Sequence, residues 1–172
     1  MDIKATSTEA DQTFTDLLQT LSSIEDLKIN TIPFDGSWTP GQLAQHIILS
    51  AGGFVQLLNG PVKDTERDSE ANIPNLKTTF LNFTIKMKSP DFIVPEEKDY
   101  DKRQLVGTLQ DIKVGLVKAI ETLDTTKTCT AFELPVLGYL TRAEAIIFTI
   151  VHTQRHAHQL KNIRQHLTED NV

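Results

Sequence analysis

Apolar residues recur at helical spacing along most of the chain, and several of these stretches begin with a helix-capping signal. In a capping box, an N-cap Ser, Thr, Asp or Asn is followed three residues later by Glu or Gln, so that the two residues satisfy each other's backbone N–H groups. The pattern occurs at Thr6/Glu9, Thr39/Gln42, Asp101/Gln104 and Thr141/Glu144. Each occurrence predicts the start of a helix.

The apolar stripes that follow these signals have the period of an amphipathic helix. They comprise Phe14, Leu17, Leu21 and Ile24; Leu43, Ile47, Phe54 and Leu57; Leu105, Leu109, Ile112, Leu116, Ile120 and Leu123; and Ala145, Thr149, His152, His156, Leu160 and Ile163. The fourth stripe is apolar except at its middle. The last stripe predicts a helix from about Arg142 to Leu167. A further helix without a good cap is predicted through Leu76, Phe80, Phe83 and Met87, ending at Ser89–Pro90.

The predicted helices indicate a single all-α domain over residues 1–172, folded as a four-helix bundle. The links at Asn59–Ile73 and Asp124–Leu140 are too long for tight helix hairpins, so the order need not be simple up-down-up-down. Residues 131–140 (AFELPVLGYL) contain Pro135 and Gly138, and this predicts a loop packed over the end of the bundle.

Composition and charge exclude several classes of function. The net charge is −6 and the pI is near 5.3, so the chain lacks the basic patch that nucleic-acid binding requires. No apolar run is long enough to cross a membrane, and the N-terminal residues do not form a signal peptide. We therefore expect a cytoplasmic location. The single cysteine, Cys129, is expected to be a small buried residue and not a reactive thiol.

Four of the five histidines fall between Val151 and Leu167. His152 and His156 are four residues apart, so on a helix they lie about 6 Å apart along one face and could bind one ion. His158 is rotated by about 200° from His156, and His166 lies about 21 Å from His152 along the axis; both are predicted to be surface residues. The fifth, His46, borders the apolar stripe of the second predicted helix.

Three interpretations of these histidines are possible. A metal site needs about three protein ligands if a position is to stay open for catalysis, and His46 could complete the pair. Alternatively, the bundle binds a metal or small ligand without catalysis, or the histidines are core residues held by hydrogen bonds. Gln159, one turn after His156, could orient an imidazole, as could Gln42 and Ser50 next to His46. Arg155 could bind an anionic substrate or lie in solvent.

Two motifs in the chain resemble those of the DinB-like (DinB/YfiT) family. They are WTPGQLAQH, which ends at His46, and HTQRHAHQL, which begins at His152. The resemblance extends over the length and helix pattern of nearly the whole chain. It implies a four-helix bundle of up-down-down-up topology, with a divalent metal, nickel or zinc, bound by His46, His152 and His156.

The resemblance also implies a choice of activities and partners. Bacterial members of the family include metal-dependent hydrolases and transferases that use low-molecular-weight thiols such as bacillithiol. We therefore expect a small-molecule substrate, with such a thiol as one option, and no nucleic acid or membrane partner. A homodimer is left open, because relatives often form dimers but no exposed apolar stripe in the sequence requires one.

Overall fold

A computed structural model describes residues 1–169, apart from the side chain of residue 169. Five helices dominate it: α1 (Ile3–Ser23), α2 (Pro40–Leu58), α3 (Ile73–Phe80), α4 (Lys102–Thr122) and α5 (Arg142–Glu169). Strands β1 (Val62–Lys63) and β2 (Thr128–Cys129) pair antiparallel and join the two long connections predicted from the sequence. Short 3-10 turns lie at Asp26–Lys28 and Asp91–Ile93.

Three of the four predicted capping signals start helices. At α2 the Thr39 side chain accepts from the Gln42 N–H, and the Gln42 side chain accepts from the Thr39 N–H. At α4 the Asp101 carboxylate accepts from the N–H of Gln104. The hydroxyl of Thr141 and the carboxylate of Glu144 form the same reciprocal pair at the start of α5. These local signals fix where three of the bundle helices begin.

The remaining signal was misread. Helix α1 begins at Ile3, and the Asp2 carboxylate caps it by accepting from the N–H of Ala5 at 3.0 Å. Thr6 lies inside the first turn, where its side chain is buried against the core. The Thr6/Glu9 pair is therefore not a cap, and α1 starts one turn earlier than predicted.

The third predicted helix is shorter than its apolar spacing indicated. Helix α3 ends at Phe80, whereas Phe83 and Met87 lie beyond it and are 45% and 40% exposed. The Asn82 side chain accepts from both the N–H and the hydroxyl of Thr84, which replaces a helical turn with a local side-chain turn. The apolar residues after Phe80 consequently belong to a loop.

The four long helices form a bundle in which α1 contacts α4 and α5, and α2 contacts the same two helices. Helix α5 runs parallel to α1 and antiparallel to α2, while α4 runs antiparallel to α1 and parallel to α2. The contacts that fix these directions are Gln154–Glu9, Arg164–Ser23, Arg142–Leu58, Ser7–Glu121, Lys102–Ile24, Gly52–Ile112 and Gly115–Val55. The topology is thus up-down-down-up, as expected.

This topology explains the long connections. Because α2 and α4 are parallel, the chain between them must return along the length of the bundle. Residues 59–101 make this crossover; α3 packs against α5 within it, and the Asp91–Ile93 turn contacts α2. The crossover therefore covers the face where α2 and α5 meet. No helix among residues 1–169 is both long and apolar enough to cross a bilayer.

Candidate metal centre

The α2–α5 contact brings three histidines together in the middle of the bundle. The Nε2 atom of His156 lies 3.1 Å from Nε2 of His46 and 3.1 Å from Nε2 of His152. One ligating nitrogen from each ring lies within 4.8 Å of the other two. The antiparallel packing of α2 on α5 thus places the early histidine against the late pair.

Each ring is held from its other side by an oxygen atom. The Nδ1 atom of His46 lies 2.8 Å from the backbone carbonyl of Ile93, and that of His156 lies 2.9 Å from Oε1 of Gln159. The Nδ1 atom of His152 lies 3.4 Å from the hydroxyl of Ser50. Since a carbonyl can only accept, Nδ1 of His46 must carry the proton, which leaves a lone pair on Nε2 directed at the cluster.

Burial keeps the imidazoles neutral. His46, His152 and His156 are 1%, 8% and 9% exposed. Loss of solvation, reinforced by the neighbouring His46, lowers the pKa of His156 to about 3. Loss of solvation also holds the pKa of His152 well below its usual value, and the nearby His156 and His46 add to this effect. Burial lowers the pKa of His46 as well, although its bond to Ile93 opposes the effect.

The donor set and its spacing fit a divalent ion. Two imidazole nitrogens bound to one zinc at about 2.0–2.1 Å, with angles between about 90° and 110°, lie about 2.8–3.4 Å apart, and the two Nε2 separations here are 3.1 Å. Hydrogen-bonded oxygens on the far side of ligating imidazoles are a common feature of metal sites. Converging lone pairs repel one another unless a cation or a proton lies between them. The three residues present therefore suit a metal.

A large cavity opens beside the cluster. Its volume is about 1270 Å³, and its wall includes all three histidines, most of the crossover residues between Phe80 and Ile93, and part of the 131–140 loop. The indole ring of Trp38 lies 5.0 Å from the ring of His46. A small molecule in this cavity could therefore reach the open side of the three-histidine cluster.

Two of the expected orienting residues do not hold His46. The side chain of Gln42 is used in the α2 cap, and Ser50 lies beside His152 instead. Gln159, by contrast, contacts His156 as the spacing indicated. The carbonyl of Ile93, which does hold His46, was missed because it lies forty-seven residues away in an irregular segment. No local sequence signal could have identified it.

Arg155 lines the cavity, and its guanidinium faces the crossover. It donates to the carbonyls of Asn82 at 2.9 Å, Phe80 at 3.4 Å and Ile85. Its charge lies close enough to the cluster to disfavour protonation of His152 and His156, after burial and the neighbouring histidines. Binding of an anionic substrate by Arg155 stays a prediction.

Glu144 and the remaining histidines lie apart from the cluster. Glu144 caps α5 and is fully buried. Burial alone would raise the pKa of this carboxyl, but paired bonds from Arg67, at 2.6 Å each, and bonds from backbone N–H groups lower it. His158 is exposed and stacks on Phe83, and His166 is partly exposed near Phe34.

Comparison with known proteins agrees with this arrangement. The profile of the DinB superfamily matches residues 9–160. The chain belongs to the DinB superfamily. Among solved structures, this DinB protein is similar to YfiT from Bacillus subtilis, described as a probable metal-dependent hydrolase with an unusual four-helix bundle topology. The TM-score is 0.61 at 15% identity, covering 96% of this chain and 87% of YfiT. No curated protein matches the chain.

Proposed function

We propose that this DinB protein is a metal-dependent enzyme that hydrolyses a small molecule at the three-histidine centre. The proposal depends on one observation: three Nε2 atoms converge at the wall of a cavity large enough for a substrate. The similarity to YfiT, which is described as a probable metal-dependent hydrolase, supports the same class of reaction.

The charge of the ligand set favours catalysis over structural metal binding. All three candidate ligands are neutral, and the cluster includes no carboxylate or thiolate among the side chains of residues 1–168. A divalent ion bound there would keep its full charge, so that it could lower the pKa of a water or thiol ligand toward neutrality and polarise a substrate carbonyl. Three protein ligands also leave a coordination position free, as in catalytic zinc sites.

The residues of the chain supply positioning and exclusion of water. The carbonyl of Ile93, the amide of Gln159 and the hydroxyl of Ser50 fix the ring orientations, so that the three nitrogens need no rearrangement to bind an ion. Phe80 and Phe148 pack their rings against the ring of His152. This apolar wall lowers the local dielectric and strengthens interactions with charge that develops during reaction.

Transfer of a thiol group to an electrophile is a second candidate. It is favoured because the cavity wall contains a single carboxylate, Asp35, among the described residues, and this reaction does not need a carboxylate base once the thiol is ionised. The thiol would come from a low-molecular-weight cosubstrate. Cys129 cannot supply it, because this residue is fully buried, lies outside the cavity wall and has its thiol pKa raised by burial.

A turnover assay distinguishes these functions. The protein is loaded with nickel or zinc and supplied with ester and amide panels, and separately with bacillithiol or cysteine plus an alkyl halide or epoxide. Wild type is compared with His156→Ala and with His166→Ala, a matched change on the same helix outside the cluster and cavity. We expect metal-dependent turnover in wild type and His166→Ala and its loss in His156→Ala.

The pattern of activity assigns the reaction. Hydrolysis without a thiol supports the first candidate, and product formation only in the presence of a thiol supports the second. If the metal-loaded protein turns over no substrate in either panel, the cluster is better explained as a non-catalytic metal site. If His156→Ala is as active as wild type, the three-histidine mechanism is wrong.

A further inference from the structure

The wall of the cavity is strongly enriched in aromatic side chains. Every phenylalanine of the chain except Phe14 lines it, and so does the only tryptophan, Trp38. Several of these rings are open to solvent, including Phe92, which is 61% exposed, and Phe132, which is 42% exposed and packs edge-to-face on Phe92. Exposed aromatic rings are typical of sites that bind apolar groups. A site for a small polar metabolite would not need such a surface.

The charges on the same wall have the opposite sign to the protein as a whole. The chain carries a net charge of −6, yet the charged residues of the cavity wall are Lys86, Lys88, Arg155 and a single acid, Asp35. Neither lysine forms an ion pair with a carboxylate of the described part of the chain. The two ammonium groups are therefore available to a ligand.

The shape of the crossover places these charges next to the aromatic wall. Lys86 and Lys88 alternate with Ile85 and Met87 in a segment where all four side chains line the cavity or its rim. The carbonyl of Ile85 is tied to Arg155, which anchors this segment to α5 beside the histidines. A molecule with an apolar body and one anionic group would match both features at once.

We propose that the substrate of this site is an anionic amphiphile, with a large aromatic or acyl body and a carboxylate or similar anion paired with Lys86 and Lys88. This inference rests on the proposed function in taking the cavity as the substrate site. The cavity volume of about 1270 Å³ exceeds that of ordinary drug-sized pockets, which are about 300–1000 Å³. It is therefore large enough for both the apolar body and the group that reacts.

Binding of three isosteric probes to the metal-depleted protein tests this inference. The probes are naphthalene-2-carboxylate, 2-naphthylmethanol and 2-naphthylmethylammonium, measured by calorimetry at low salt. Without a metal, the carboxylate cannot gain affinity by coordination. We expect the carboxylate to bind about tenfold more tightly than the alcohol, the ammonium to bind most weakly, and the preference to shrink when the salt concentration rises to about 1 M.

Charge-reversal variants test whether Lys86 and Lys88 cause the preference for the carboxylate probe over the alcohol. In the Lys86→Glu/Lys88→Glu variant we expect the carboxylate to lose its advantage over the alcohol, while binding of the alcohol stays the same. The matched control is Lys77→Glu/Lys118→Glu, which makes the same change in net charge at exposed lysines outside the cavity. All four lysines are exposed, and thermal melts verify that both variants fold.

Several results would overturn the inference. These are equal binding of the three probes, tightest binding of the ammonium, no binding of any probe, or a carboxylate preference that survives the Lys86/Lys88 reversal. Each of these results leaves the metal site intact, because metal binding and turnover are measured separately on the loaded protein. Conversely, a protein that prefers the carboxylate but shows no turnover supports the amphiphile site and refutes only the catalytic proposal.

Discussion

Acidification from pH 7 to pH 5 should sharply destabilise the metal-free protein. The reason lies in His152 and His156, which are neutral in the folded protein because burial, reinforced by the neighbouring histidines, lowers their pKa values. In the unfolded chain both side chains titrate near the ordinary histidine value of about 6.5. Below that pH the unfolded chain binds more protons than the folded one, so stability present above about pH 6.5 is lost as the pH falls.

The size of the effect follows from these two states. A histidine that titrates at about 6.5 when unfolded and below 5 when folded reduces the free energy of unfolding by about 2 kcal/mol between pH 7 and pH 5. His156 meets this condition with a folded pKa of about 3, and the pKa of His152 is shifted in the same direction. His156 therefore accounts for a loss of about 2 kcal/mol, and His152 adds to this loss in the same direction. A typical domain has only about 5–15 kcal/mol of stability in total.

Urea unfolding followed by helical circular dichroism at the two pH values, with a chelator present, measures this loss. Removal of one buried group in His156→Gln should reduce the loss by about 2 kcal/mol. His166→Gln, on the same helix but partly exposed, provides the matched control and should retain the full loss. A wild-type stability that changes by less than about 1 kcal/mol, or an equal loss in His156→Gln, would refute the assignment of the acid sensitivity to these histidines.

Three further predictions concern other parts of the molecule. Trp38 is the only tryptophan, and its ring lies 5.0 Å from the ring of His46. Binding of open-shell Ni²⁺ should therefore quench most of the tryptophan fluorescence, whereas closed-shell Zn²⁺ should not. Equal emission with both ions would show that the metal binds elsewhere. Arg67→Ala should lower the free energy of unfolding by about 2 kcal/mol because it leaves the fully buried Glu144 without its cation. Urea titration compares it with Lys98→Ala, which breaks an exposed ion pair and should leave the free energy of unfolding nearly unchanged; equal losses in the two variants would contradict the prediction. A Cβ added at Gly107 meets no atom within 4 Å. Gly107→Ala should therefore raise the free energy of unfolding by about 1 kcal/mol, because alanine has a higher helix propensity than glycine. A lower melting temperature of this variant would contradict the packing described for α4.

The sequence predicted the bundle best where the determining contacts are local. The Thr39 and Thr141 caps each join residues three positions apart, so the starts of α2 and α5 could be read directly. The apolar stripes likewise follow from a repeat of a few residues, and their central members, such as Leu109 and Leu116, are fully buried. Local periodicity was therefore sufficient to predict the helices of the bundle.

Errors arose where a distant residue decides the backbone path. The spacing of Phe80, Phe83 and Met87 continues a helical stripe, but the carbonyls of Phe80, Asn82 and Ile85 are bound by Arg155 of α5. Because these carbonyls accept hydrogen bonds from a guanidinium, they do not accept the backbone hydrogen bonds that would continue the helix. The helix therefore ends at Phe80. A contact between residues seventy or more positions apart cannot be predicted from a repeat of three or four residues.

In the candidate site, too, the features set by local spacing were predictable, and those set by distant contacts were not. His152 and His156 share one helix, so their proximity followed from the spacing alone. The approach of His46 depends on the antiparallel packing of α2 on α5, which no local pattern specifies, and was expected from the resemblance in motifs. The Ile93 carbonyl that fixes its tautomer is a backbone group, which leaves no trace in residue identity.

The central claim is that His46, His152 and His156 together hold one divalent ion. Equilibrium dialysis against Zn²⁺ or Ni²⁺ at about pH 7.5, followed by elemental analysis, tests it most directly. Wild type and His166→Ala should retain one ion per chain, and alanine at any of the three positions should reduce the retained metal several-fold. Equal, substoichiometric metal in wild type and His156→Ala would contradict the claim and leave three buried histidines held only by hydrogen bonds.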